Sequence, residues 1–231
     1  MKRFLEFLDQ DLNDVLDFIA EDFLFEEEGQ AQTKVKQPWP DFEHKTDDRT
    51  YSQAAFKKHF EKHIKPRIDK IQGQFHRTLN SASAVTKGAE VKSARKRLDS
   101  LHDKVVTRGR NASEIHDVLR GAVITKSNED ADKVINKLKD TGKVISHEHK
   151  EHSQDGKSSG YGGTHHVIMN FGGVHTEVQV MPKKIFNAKK DAHKIYKKYR
   201  SLKNPESHPD YEKDMEKSRS IFKNSIAKVK K

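Results

Sequence analysis

Apolar residues recur at helical spacing over residues 3–25, with Phe4, Leu5, Leu8, Leu12, Val15, Leu16, Ile19 and Phe23 on one side and acids on the other. That pattern predicts an amphipathic acidic helix. Residues 26–50, with Pro38 and Pro40 among mixed charge, read as a linker. From Tyr51 the spacing of Phe56, Phe60, Ile64, Ile68 and Ile71 predicts a second helix, kinked or broken by Pro66. Val91, Ala94, Leu98, Leu101 and Val105 predict a third over 89–106. Asn111 and Glu114 form a capping pair that predicts a short helix over 112–120, followed by a buried strand at 121–125. Ser127 with Asp130 opens a helix with Ala131, Val134, Ile135 and Leu138 on one face, and Gly142 closes it. Strands follow at 143–149, 164–171 and 174–181, the last two joined at Gly172 and Gly173; a Lys-rich helix then runs from Pro182 to about Leu202, and another from Tyr211 to Val229.

The order strand, helix, strand, hairpin, helix predicts an α+β fold, a small mixed β-sheet flanked by helices with added N-terminal helices. The chain divides into an acidic helix and linker (1–50), a helical region (51–106), a core (107–204) and a C-terminal helix (205–231). Its 231 residues suit one core with a helical appendage rather than two equal domains. Charged residues (35%) outnumber apolar ones (32%), so that core is modest.

Charge adds a class of partner. Residues 1–30 hold two basic and ten acidic side chains, about −8, which leaves about +18 of the net +10 on the other 201 residues. A body that basic attracts polyanions, nucleotides or RNA. The lysines of 182–200, including Lys183, Lys184, Lys189, Lys190, Lys194, Lys197 and Lys198, read either as a solvated helix face or as a guide for RNA. With no cysteine, disulfides and thiolate metal sites are excluded, and the chain suits a reducing cytoplasm. No apolar run reaches the ~18–20 residues of a membrane span, and no secretion signal opens the chain.

Candidate chemistry concentrates in three places. Lys157, Gly160, Tyr161, His165 and His166 form a Gly-rich stretch whose backbone could approach phosphates and whose ring could stack on a base. Alternation over 174–181 sets Val174, Thr176, Val178 and Val180 on one face and His175, Glu177 and Gln179 on the other. A solvated antiparallel strand would alternate in the same way. A two-residue turn at Gly172 and Gly173 brings His166 to the face of Glu177; a three-residue loop brings His165 instead. On the helix expected over 112–120, Ser113, Asp117 and Arg120 share a side, so Asp117 is either a metal ligand beside an Arg120 phosphate clamp or half of a surface ion pair. His147, His149 and His152 fit an exposed strand better than a metal site. His102-Asp103 and His116-Asp117 evoke an HD hydrolase, but no helical domain of the needed size surrounds them.

Asp117-x-x-Arg-Gly, the strand Ala-Val-Ile, Gly160-Tyr161 before His165, Glu177-Val-Gln179, and Ala192-His193-x-x-Tyr196-Lys197 occur in the order of RelA/SpoT-type alarmone synthetase domains, which the chain resembles over roughly 90–202. The resemblance implies a magnesium-dependent pyrophosphokinase that uses ATP and the 3′-hydroxyl of a purine nucleotide or tRNA end. It implies Asp117 and Glu177 as magnesium carboxylates, Glu177 beside the acceptor hydroxyl, Tyr161 stacked on the acceptor base, and Gln179 and His165 near the acceptor. Arg108 and Arg110 resemble the basic segment that grips the ATP phosphates. His166, Arg120, Ser113 and Lys157 complete the substrate-binding candidates. Val123 stands where the family has arginine, and Met181-Pro182 where it has Arg-Thr, as in a divergent toxin-like or phage-borne branch. Such a branch implies host cytoplasm or virion as location, and an antitoxin or virion partner met through the N-terminal helix, whose opening residues resemble phage head-targeting peptides. The alternative is an inactive nucleic-acid-binding or virion-associated protein that keeps the fold.

Overall fold

Pro66 does not break the helical run after residue 49; it occupies the first turn of its second half. In the computed structural model, α1 (Arg49–His59) passes through a π-helical stretch (Phe60–Ile64) into α2 (Lys65–Ser83). The π stretch absorbs the wider turn, and proline is tolerated at a helix start because its missing N–H has no partner there. The structure describes residues 35–43, 49–150, 160, 162–199, 202 and 204–229. The acidic helix expected over 3–25 lies outside them, as do Lys157 and Tyr161.

Two expected helices are absent. Residues 89–106 form strand β1 (Glu90–Arg95), the short α3 (Leu98–His102) and a π turn (Asp103–Thr107). Val91 packs toward one face of the sheet and Ala94 toward the other, as an odd separation on a strand requires. The helix expected over 112–120 is one 3₁₀ turn (Ala112–Glu114) leading into β2 (Leu119–Thr125). The expected linker supplies the reason. Gln37 N and Nε2 donate to the Ser113 and Ile115 carbonyls, Trp39 Nε1 donates to the Ala112 carbonyl, and Asp41 Oδ1 accepts from Ser113 N. Backbone groups that a helix would pair internally are thus taken by a strap over 35–43, whose Trp39 is 3% exposed.

The remaining elements follow the expected order: α4 (Asn128–Lys139), β3 (Val144–Lys150), β4 (Thr164–Phe171), β5 (Val174–Pro182), α5 (Lys183–Tyr199) and α6 (Tyr211–Val229). Ser127 caps α4 by accepting from Asp130 N. Gly172 and Gly173 both have positive φ, the hairpin turn that pairs Phe171 with Val174. The sheet order is β1-β2-β5-β4-β3, with β2 and β5 parallel and the other pairs antiparallel.

On one face Leu119, Val123, Val167, Met169, Val178 and Val180 pack against Ile68, Phe75 and Leu79 of α2 and Val134, Ile135 and Leu138 of α4. On the other, Ala122, Ile124 and Met181 meet Ile185 and Phe186 of α5, with Ile226 of α6 against them. Helix α5 covers only part of that second face. The polar residues of β5, Glu177 and Gln179, lie on that face and are buried.

Candidate active site

Register sets the second face. Arg120 on β2 is level with Glu177 on β5, and Gln179 faces His166 on β4 across the antiparallel pair. Asp117 lies three residues before Arg120, where β2 begins. Lys96 follows β1 and extends its ladder by donating its N–H to the Val118 carbonyl (2.9 Å). Both Lys96 Nζ (2.8 Å) and Lys104 Nζ (2.7 Å) donate to Asp117 Oδ2. From α5, Lys189 Nζ donates to Gln179 Oε1 (2.6 Å), and Gln179 Nε2 donates to Glu177 Oε1 (2.7 Å). His166 Nδ1 lies 3.7 Å from the same carboxylate oxygen.

Asp117 and Glu177 are 3% and 4% exposed, so both titrate in low dielectric, yet their surroundings separate them. Burial alone would raise Asp117, but Lys104, Lys96 and Arg120 outweigh it and hold its carboxyl below the usual range. Glu177 is pushed up, first by burial and then by the Asp117 charge, against the Gln179 hydrogen bond and the fields of Lys104 and Lys96. The cations bear the cost of burial too. It brings Lys96 down to about 8 despite Asp117, brings Lys150 down to about 8 despite Glu177, and lowers Lys189 well below its ordinary value. His166, lowered by burial and then by Lys150, is neutral.

The structure therefore brings together Asp117, Arg120, Glu177, Gln179 and His166. It separates the rest. His165 points to the opposite face, stacked on His149 (4.2 Å between centroids), with His147 Nε2 3.1 Å from its Nδ1 and Asp132 of α4 3.5 Å from its Nε2. The two-residue turn imposes this parity. Ser113 is absorbed into the seat of the strap, Arg108 pairs with Asp103 (2.7 Å), and Arg110 is exposed. Lys183, at the start of α5, bridges to Glu90 (2.6 Å).

Sequence reasoning missed Lys96, Lys104, Lys150 and Lys189. Reading 89–106 as one helix hid the first two. Lys189 carried a signal: it sits in the stripe Ile185, Ala188, Ala192, Ile195 and Tyr199, where an apolar residue belongs.

Asp117 Oδ1 is buried and has no hydrogen-bond partner among the described residues. An orphaned carboxylate oxygen near a second carboxylate fits a divalent cation. No group of three or more ligating side chains occurs among the described residues. A two-carboxylate set fits magnesium, which takes its other ligands from water and substrate phosphates.

A family model described as the region found in RelA/SpoT proteins matches residues 93–201. Among solved structures, the chain is similar to one of the complex between the type VI effector Tas1 and its immunity protein, at 18% identity over 74% of this chain and 97% of that one, with a TM-score of 0.56. A GTP pyrophosphokinase family protein from Streptococcus pneumoniae is 16% identical over 80% of this chain and 92% of its own (TM-score 0.48). Small alarmone synthetase 1 from Bacillus subtilis is 14% identical over 80% and 97% (TM-score 0.45). No curated protein sequence matches the chain. No helix among the described residues is long and apolar enough to cross a membrane. The family match over β1 to α5, on a five-stranded mixed sheet between helices, makes residues 93–201 a RelA/SpoT-type domain.

Proposed function

We propose that this chain transfers the β,γ-pyrophosphate of ATP to the 3′-hydroxyl of a purine nucleotide or of a tRNA end. One observation carries the reading: two buried carboxylates with oppositely shifted proton affinities share one sheet face with Lys96, Lys104, Lys150 and Arg120. In this reaction the hydroxyl oxygen bonds to the β-phosphorus, the bond from that phosphorus to the α–β bridging oxygen breaks, and AMP leaves. Glu177, whose proton affinity is raised by burial and by the Asp117 charge, accepts the hydroxyl proton. Asp117 and Glu177 would hold Mg²⁺, which neutralises phosphate charge. Lys96, Lys104, Lys150 and Arg120 oppose the charge of the triphosphate in place of the arginines lost at Val123 and Met181. Tyr161 stacks on the acceptor base, as the resemblance implies. The complex of Tas1 with its immunity protein supports a proteinaceous inhibitor as a partner for this chain as well.

Purified protein with Mg²⁺, γ-labelled ATP and a panel of GDP, GTP, AMP, ATP and tRNA should yield one labelled acceptor. Glu177→Gln should lower the rate by about 10²–10⁴-fold. Its melting temperature should stay near that of the parent, because the amide keeps the side chain's size and still accepts from Gln179 Nε2. No labelled acceptor with the unsubstituted protein would overturn the reading in favour of a fold kept for nucleic-acid binding.

A further inference from the structure

Lysine 189 lies on the helix face that packs against the sheet, 1% exposed, between the apolar turns of Ile185 and Ala192. Burial of so long a cationic side chain is costly and persists only where a specific acceptor receives it. Gln179 Oε1 is such an acceptor, at 2.6 Å. We propose that Lys189 is a positioning residue: it fixes which way the Gln179 amide faces, and through that amide it holds Glu177 in place. The inference rests on the catalytic role given to Glu177 above.

The argument is one of donors and acceptors. An ammonium group donates only, so the Gln179 carbonyl oxygen must face Lys189 and its NH₂ must face Glu177, where Nε2 is 2.7 Å from Oε1. The observed distances, 2.6 Å from Lys189 Nζ to the amide oxygen and 2.7 Å from the amide nitrogen to Glu177 Oε1, fit that orientation. Without Lys189 the Gln179 carbonyl oxygen loses this donor, the amide's hold on Oε1 of Glu177 loosens, and the carboxylate is less well aimed at the acceptor hydroxyl. Lysines elsewhere on α5 have different partners: Lys194 pairs with Asp191 and Lys198 with Asp214, both at the surface.

Lys189→Met keeps the bulk of the stem and removes the donor. It should leave the melting temperature level or higher, lower kcat about 10–100-fold, the size expected for a charge-assisted hydrogen bond, and leave KM for ATP within about twofold. In a Gln179→Leu background Lys189→Met should change kcat by less than about twofold, because the two residues act in series. A second readout needs no activity. The side-chain ¹⁵N–¹H₂ resonances of Gln179 should move in Lys189→Met and stay put in the surface variant Lys194→Met. If the protein proves inactive while those resonances move as expected, the catalytic reading fails and the positioning role stands. Unmoved Gln179 resonances in Lys189→Met, or a full additional loss of kcat on top of Gln179→Leu, would overturn the positioning role.

Discussion

At the scale of single residues, burial decides what each ionisable group can do. The contrast between His165 and its neighbour His166 illustrates it. His166 lies beside Glu177, whereas His165 joins His147 and His149 on the helix-covered face, within the fields of Asp132 and Lys139 from α4. Burial, then His149, His147 and Lys139, brings His165 down to about 4 from an ordinary 6.5. Because its folded-state proton affinity is depressed, its contribution to stability is full above pH 6.5 and is lost as pH falls through 4. Discounted for solvent, that contribution is of order 1–2 kcal/mol. His165→Phe keeps the ring stack and removes the titration. Urea denaturation from pH 7 to 4 should give a shallower acid loss for the variant by about that amount, with kcat at pH 7.5 within twofold of the parent. An unchanged pH slope would show that the stack does not titrate with folding.

At the scale of elements, close approach of α2 to β2 depends on Gly121. A Cβ there would overlap Leu79 Cδ1 and come within 3.1 Å of Phe75 Cζ and 3.2 Å of the Lys92 carbonyl oxygen. Gly121→Ala should cost about 1–3 kcal/mol by overpacking. In a Leu79→Ala background the added cost should shrink, a non-additivity that denaturation of the four proteins measures. Elements built from local rules were legible in the sequence: α4 through Ser127 and Gly142, the β4–β5 hairpin through Gly172 and Gly173, α5 through Pro182. Elements made by distant pairing were not. Strand β1 exists because Val91 and Ala94 pair with Val123 and Arg120 of β2, and residues 112–115 are extended because Gln37, Trp39 and Asp41 claim their backbone. The motif pair Asp117 and Glu177 could be read along the chain, since type and order suffice to name them. Lys96 and Lys104 could not, since they reach Asp117 only after β1 and the π turn have formed.

At the scale of the whole molecule, charge is divided along the chain. Residues 1–30 carry about −8 and the remainder about +18. The chain enters the described fold at Val35, whose carbonyl accepts a hydrogen bond from His116 Nε2 (3.0 Å), one residue from Asp117. Were the acidic segment that precedes Val35 to reach the cation-lined face, its high effective concentration there would make it compete with an incoming polyphosphate. Deleting residues 1–30 should therefore tighten binding of a polyanion such as poly(U) or heparin and lower KM for ATP, both most strongly at low ionic strength. The gain should fade between 50 and 200 mM salt, as counterion screening removes the advantage of the uncovered charge. Substituting the ten acids of that segment by their amides should reproduce the deletion, which separates an effect of charge from one of bulk. Equal polyanion affinity and equal KM in the full chain and the deletion at 50 mM salt would mean that the segment does not reach the site.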